Sequence, residues 1–418
     1  RQKTRGIIIM LLCASLTLTG CSNTTGSQKK EVKKEAADKE QTVKLTLWGG
    51  AEDQKMLQSM VDDFKKEHAS EASFDIKLAV ESETTCKETL LGDVEKGADV
   101  FAFPDDQLQA LAASGVLQEI RDADQVKQDN IKGAVEAASV NDRLFAYPMT
   151  ADNGYFLYYN KKYFSGNDVK KLDTILAKAE KVHKKVTMDW TSAWYLYSFF
   201  GNTGLKAGVN EDGVTNYCNW NSKKGKIKGI DVAQAMERIA GSSAFLNTTD
   251  DKFLKGVQNG SVIAGVSGVW NANAIDKAWG KNYGAVKLPT YTCAGKQVQM
   301  ASFTGYKMVG VNAYSSDVKW AMKLAEWITN QDNQTRRFAE RGQGPSNIKA
   351  SQSGDIEKSP AIQAVIAQSE YGCLQRVGGN FWDPISSFGS SVANGTLSPK
   401  ELQKELDDMV KKVTAPTV

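Results

Sequence analysis

The sequence predicts an α/β protein of two lobes with interleaved segments, and three observations carry that reading. The chain has 418 residues, two to three ordinary domains' worth, which excludes one small core. Its first body segment alternates between a period of two and helical spacing, the strand–helix–strand repetition of a mainly parallel sheet. Beyond a middle third dominated by helices, a second α/β region emerges around residues 283–288 and 307–311.

Residues 43–48 alternate with period two and stop at Gly49-Gly50, the first strand. Met56, Leu57, Met60, Val61 and Phe64 then recur on one helical face. Phe74, Ile76, Leu78 and Val80 alternate again, and Leu90, Leu91 and Val94 share a helical face. Residues 99–103 form a short apolar strand, followed by Leu108, Leu111 and Ala112 on a further helix. In the middle third, 177–182, 190–200, 233–239 and 253–257 read as helices joined by loops rich in Gly and Asn. Residues 261–270 are an apolar run ending in Trp270. A helix over 320–328 places Trp320 and Trp327 on its core face, and the segment from Ser359 is largely helical.

The balance of charge is nearly even, with 52 Lys and Arg against 49 Asp and Glu, and Arg1, Lys3 and Arg5 account for the whole excess. No basic field is left to grip nucleic acid. Two histidines, His68 and His183, argue against a multi-histidine metal site, and no cofactor is called for. Neither a nucleophile elbow, a zinc-protease motif nor a phosphate loop occurs. Cys86, Cys218, Cys293 and Cys373 lack CxxC spacing, and three full pairings or four free thiols all remain open.

Ahead of the body, the cationic start is followed by an apolar run over 6–18, too short for a membrane span, which reads as an export signal. The end of that run, Leu18-Thr19-Gly20-Cys21, resembles the lipobox of bacterial lipoproteins. The resemblance implies a signal peptide over 1–20 and lipidation of Cys21, with an ordinary cleaved leader or an uncleaved anchor as the alternatives. Residues 22–41 carry one aliphatic side chain larger than Ala among many Lys and Glu, and read as a disordered tether.

In parallel sheets, ligands bind beyond the carboxyl ends of the strands. Three such ends carry Trp48 with Glu52, then Glu81 and Glu83, then Phe103 with Asp105 and Asp106. Trp48, Phe103, Trp220, Trp270, Phe381 and Trp382 stand beside Gly, Asn or Asp in loops rather than on a helical stripe. Asn380 and Asp383 flank the last pair. Aromatic faces stack on the C–H faces of a pyranose, and carboxylates and amides bond its hydroxyls, so this combination suits sugars. For any single Trp, burial in the core is the competing role.

Several motifs in order resemble the extracellular solute-binding proteins of carbohydrate ABC importers, in particular the maltose/maltodextrin-binding branch. They are DVFAFPDDQLQALAASGVLQEI (99–120), FAYP (145–148) with YYNK (158–161), NGS (259–261) with GVW (268–270), and YGAVKLP (283–289). The resemblance covers most of residues 42–418. It implies a two-lobe periplasmic-binding-protein-like fold with a hinge and an inter-lobe cleft. The lobes would be 42–149 plus 305–349 and 150–304 plus 350–418, with crossings near 148–151, 302–305 and 344–354. It also implies a non-enzymatic, lipid-anchored monomer that binds maltose or malto-oligosaccharide outside the cell and hands it to ABC permease subunits.

The same resemblance assigns sugar contacts to Asp106, to Phe103 as an aromatic wall, to Asp152, to the pair Trp194 and Tyr195, and to Trp270 and Trp382. Trp48, Glu52, Glu83, Asn380 and Asp383 are added from strand ends and loops. Gln107 stands where the best-known members have Arg, and Ser192 where they have Glu. Those departures keep a fructo-, galacto- or raffinose-type oligosaccharide open as the ligand, and a glycan-cleaving enzyme is the reading from another class.

Overall fold

Alternation becomes burial in the first strand, where Val43, Leu45 and Leu47 turn inward and Lys44 faces solvent. In the computed structural model, residues 42–395 and 397–416 are described; the leader, Cys21 and the whole tether lie outside the described residues. The described residues belong to one compact unit.

The strands of its two main sheets are, in chain order, β1 (Val43–Gly49), β2 (Phe74–Val80), β3 (Val100–Pro104), β4 (Tyr147–Gly154), β5 (Phe156–Asn160), β6 (Lys185–Met188), β7 (Phe245–Asn247), β8 (Val262–Ser267), β9 (Tyr283–Val286), β10 (Ser302–Val311) and β11 (Gly372–Leu374). The first sheet has the order β11-β10-β3-β1-β2, with β4 also paired to β10. β1 runs parallel to β2 and β3, whereas β10 is antiparallel to both β3 and β4. The second sheet has the order β7-β6-β8-β5-β9, with β6, β7 and β8 parallel and β5 antiparallel to β8 and β9. The α/β two-lobe class read from the sequence is the observed one.

Two large hydrophobic clusters stand behind the two main sheets. One draws on residues 43–151 and 306–328, the other on 155–303 and 381–413. The helix Gln54–Glu67 buries Met56, Leu57, Met60, Val61 and Phe64, the face its spacing predicts. Trp320 is buried in the first cluster, and Trp327 packs against it with its indole N–H donated to the Met60 carbonyl at 2.9 Å.

Residues 307–311, read as part of a second α/β region, belong instead to the first sheet. They end the ten-residue strand β10, which starts at the crossing. The short strands β6 and β7 escape a periodicity reading because four and three residues hold too little alternation to register.

Candidate functional site

The strand registers bring ends of both sheets to one place. Gly154, the last residue of β4, pairs with Thr304 of β10. Two residues later, Phe156 starts β5 opposite Ser267, the last residue of β8. On the other side of β10, Lys307 pairs with Pro104 at the end of β3. The carboxyl ends of β3 and β8 therefore meet where the chain crosses between lobes, each with its following loop at that edge.

Tyr155 is the joint of this crossing. Fully buried, it donates its hydroxyl to the Trp194 carbonyl at 2.7 Å and accepts the Phe303 N–H at 3.3 Å. One side chain thus ties β4–β5, the first turn of the helix Ala193–Phe200 and the start of β10.

On the second lobe, Trp270 follows β8 and is 49% exposed, although its indole N–H is held by Asp250 at 2.9 Å. Asp250 also accepts from Ser267 Oγ at 3.0 Å and from the Tyr195 hydroxyl at 3.3 Å. Trp194, half-buried, lies beside Trp270 with ring centroids 5.9 Å apart. A Cβ on Gly268 would fall 1.9 Å from the Trp270 ring, so only glycine lets the indole fold back over this turn. Tyr195 itself is buried behind the pair, and burial plus the Asp250 carboxylate push its phenol well above the ordinary range. It supports the platform without facing solvent.

Further along the crossing, Tyr197 stacks on Phe303 at 4.2 Å, and half-buried Trp382 leans on Phe303 and Phe381. Asp383, one residue on, is exposed.

On the first lobe, Trp48 is half-buried, and Glu52 and Asp106 are exposed. Asp105, beside Asp106, is buried and structural. It accepts the Tyr306 N–H at 2.8 Å and pairs with Arg376 at 2.8 Å. Burial raises its pKa, with Arg376 pulling the other way. Glu83 pairs with Lys307 at 2.5 Å. Asp152 accepts the Gly344 N–H at 2.7 Å, and its pKa is raised by burial against the opposing pull of that bond and of Lys307.

Two of the expected contacts are committed elsewhere in this arrangement. Phe103 is fully buried against Phe101 in the first-lobe core and forms no aromatic wall, because a residue inside a central strand points where the sheet requires. Asn380 donates its amide to the Ala415 carbonyl at 3.1 Å, which anchors the C-terminal segment. Among the loop aromatics, Trp220 and Phe381 are also fully buried, Trp220 stacked on Phe200 at 4.1 Å. Gln107, expected to alter ligand preference directly, is buried and spends its amide on the Glu83 and Thr84 carbonyls at 3.0 and 2.9 Å.

Sequence reasoning missed Asp250, Tyr155, Tyr197 and Lys307. None stands in a motif, and their partners are remote in the chain, so only the tertiary fold assembles them. Among the described residues no group of His, Cys, Asp and Glu is arranged to hold a metal ion, and no helix is long and apolar enough to cross a membrane. The four described cysteines are free thiols. A groove of about 600 Å³ between residues 118–126 and the helix Val318–Ile328 includes none of the expected site residues.

Residues 59–364 match the family described as bacterial extracellular solute-binding protein. The chain belongs to that family. A "Galactooligosaccharide-binding protein" of Bacillus subtilis (strain 168) is 27% identical over 94% of this chain and 93% of its own length. A "Maltooligosaccharide ABC transporter solute-binding lipoprotein" of Streptococcus pneumoniae (strain ATCC BAA-255 / R6) is 22% identical over 98% of this chain and 97% of its own. Among solved structures, a maltodextrin-binding protein of L. casei BL23 without ligand superimposes with a TM-score of 0.75 at 25% identity, covering 90% of this chain and all of that one. In this solute-binding family member the crossing strands and the platform of Trp270 and Trp194 therefore sit in a two-lobe frame shared with sugar receptors.

Proposed function

We propose that this solute-binding protein captures a neutral oligosaccharide at the edge between its lobes, malto-oligosaccharide first, and delivers it to the permease subunits of an ABC importer without cleaving it. The observation that carries the reading is Trp270, a large apolar face left half-exposed while Asp250 fixes its polar end. An aromatic face of that kind is the partner of a pyranose C–H face. Trp194, Trp382, Trp48, Glu52, Glu83, Asp106, Asp152 and Asp383 would complete the contacts, with carboxylates accepting from hydroxyls. Ligand would favour the closed arrangement of the lobes by its greater affinity for it, the hinge lying at Tyr155.

A second sugar is supported by the relatives. The galacto-oligosaccharide-binding protein has 27% identity to this chain, against 22% for the malto-oligosaccharide lipoprotein. A calorimetric panel of maltotriose, a β-galacto-oligosaccharide, raffinose and a fructo-oligosaccharide decides between them. Binding of maltotriose alone supports the first reading, binding of the galacto-oligosaccharide alone the second, and binding of none contradicts both. Chromatography of the sugar after prolonged incubation tests the non-enzymatic reading, since cleavage products would overturn it.

Anchoring at Cys21 by lipid is part of the same proposal and is supported by the lipobox pattern and the lipoprotein name of a relative. Release of a Cys21→Ala variant into the medium, with loss of labelled fatty acid, is the expected result. No metal or organic cofactor enters the scheme, and the protein would act as a monomer.

A further inference from the structure

Lys307 was in none of the sequence motifs, yet it sits at the centre of the first-lobe edge. It lies on β10 opposite Pro104 on one side and Thr150 on the other. Its ammonium meets Glu83, which stands in the loop after β2, at 2.5 Å. The same loop is pinned from below by Gln107, which donates to the Glu83 and Thr84 carbonyls and accepts the Lys87 N–H at 3.1 Å. Asp152 on β4 feels the Lys307 charge from the other side. One cation thus stands between two carboxylates, at the strand edge that also carries Trp48 and Asp106. Lys307 keeps a third of its side chain exposed, whereas Glu83 keeps 14%.

We infer that Lys307 and Glu83 form a donor–acceptor pair for two neighbouring hydroxyls of the sugar, with Lys307 also positioning Glu83. The inference rests on the oligosaccharide reading above. An ammonium has three donors and no acceptor, a carboxylate only acceptors, and a vicinal diol presents both to each. With one N–H spent on Glu83, the remaining donors of Lys307 are free for a hydroxyl oxygen. Glu83, held by Lys307 from one side and by its pinned loop from the other, needs no reordering to accept the neighbouring O–H. A neutral sugar gains no net charge interaction from such a pair. What it gains is direction, since charge-assisted hydrogen bonds favour one geometry.

The test compares the full-length protein with Lys307→Met, Lys307→Arg, Glu83→Gln and the double variant Glu83→Gln/Lys307→Met, by calorimetry with whichever oligosaccharide of the panel binds the parent. Lys307→Met is expected to weaken binding on the order of tenfold or more, and Lys307→Arg to recover most of the loss. In the Glu83→Gln background, removing Lys307 is expected to cost clearly less than in the parent. Parent-like affinity in Lys307→Met, no recovery with Arg, or full additivity of the two single losses would each overturn the inference. If Lys307→Met does not melt as one cooperative transition, Lys307→Gln takes its place in the cycle. Failure of the parent to bind any sugar of the panel would instead overturn the oligosaccharide reading, so the two failures are distinguishable.

Discussion

Trp270 donates its indole N–H to Asp250 at 2.9 Å while nearly half of its surface stays open to solvent. Burying large aromatic surface is favourable, so an exposed Trp fixed at its polar end is an apolar face held ready for a partner. Removal of that face is the first expected effect. Trp270→Ala, and separately Trp382→Ala, should each weaken oligosaccharide binding by about 1–3 kcal/mol through lost apolar contact. Calorimetry measures it, and unchanged affinity in both would remove the stacking account.

Asp250 holds Trp270, Ser267 and Tyr195 together, three partners from three separate elements. Asp250→Ala should therefore loosen the indole without deleting it, weakening binding by about 1–2 kcal/mol, the scale of a lost hydrogen bond to a charged group. Tryptophan fluorescence of the free protein should shift at the same time. An unaltered spectrum with reduced affinity would mean that Asp250 touches the ligand rather than the ring.

Far from the platform, Asp53 bridges Arg337 at 2.9 Å and Arg341 at 2.8 Å, and both Asp53 and Arg337 are buried. Removing one partner of a buried pair strands the other charge. Asp53→Ala should cost about 3–5 kcal/mol of stability, read as a lower urea midpoint, and a loss under 1 kcal/mol would contradict the buried-pair account.

Asp152 gives a pH signature. Burial raises its native pKa above the ordinary value of 3.8, so the native state holds this proton more tightly than the unfolded chain. Its contribution to stability is present below the unfolded pKa and is lost as pH rises through the raised native value. Asp152→Asn keeps an oxygen to accept the Gly344 N–H and removes the buried charge. Relative to the parent, the variant should gain stability on going from pH 3 to pH 7. A constant difference across that range, measured by thermal melts, would contradict the assignment.

Cys373 is exposed, whereas Cys86 and Cys293 are buried. Burial pushes the Cys86 and Cys218 thiols up to about 12 and that of Cys293 to about 11, which withholds the reactive thiolate. In a protein lacking the leader and Cys21, one thiol should react rapidly with an aromatic disulfide reagent, and sugar should slow it. Equal reactivity of several thiols would contradict the burial account, and absence of protection by sugar would place Cys373 outside the ligand's reach.

How much of this was legible in the sequence depended on range. The helix Gln54–Glu67 and strands β1 and β2 show their faces within a few residues, so periodicity finds them. Trp270 was legible because GVW follows an apolar strand. Phe103 was misread because Phe101 and Phe103 alternate on one face of a five-residue strand, and alternation alone does not reveal whether that face meets the core or the edge. Asp250 had no local signal, since nothing distinguishes it from Asp251 in the first turn of the helix Asp250–Asn259. Nothing local marks Lys307, because its partner Glu83 lies far away in sequence.

The central claim is that the edge between the lobes receives an oligosaccharide, and titration of the purified protein with maltotriose and a β-galacto-oligosaccharide, followed by calorimetry and tryptophan fluorescence together, tests it most directly. The account predicts saturable one-site binding of at least one of them, with a fluorescence change that disappears in Trp270→Ala. Absence of heat and of fluorescence change with both sugars, in a protein that melts cooperatively, would contradict it.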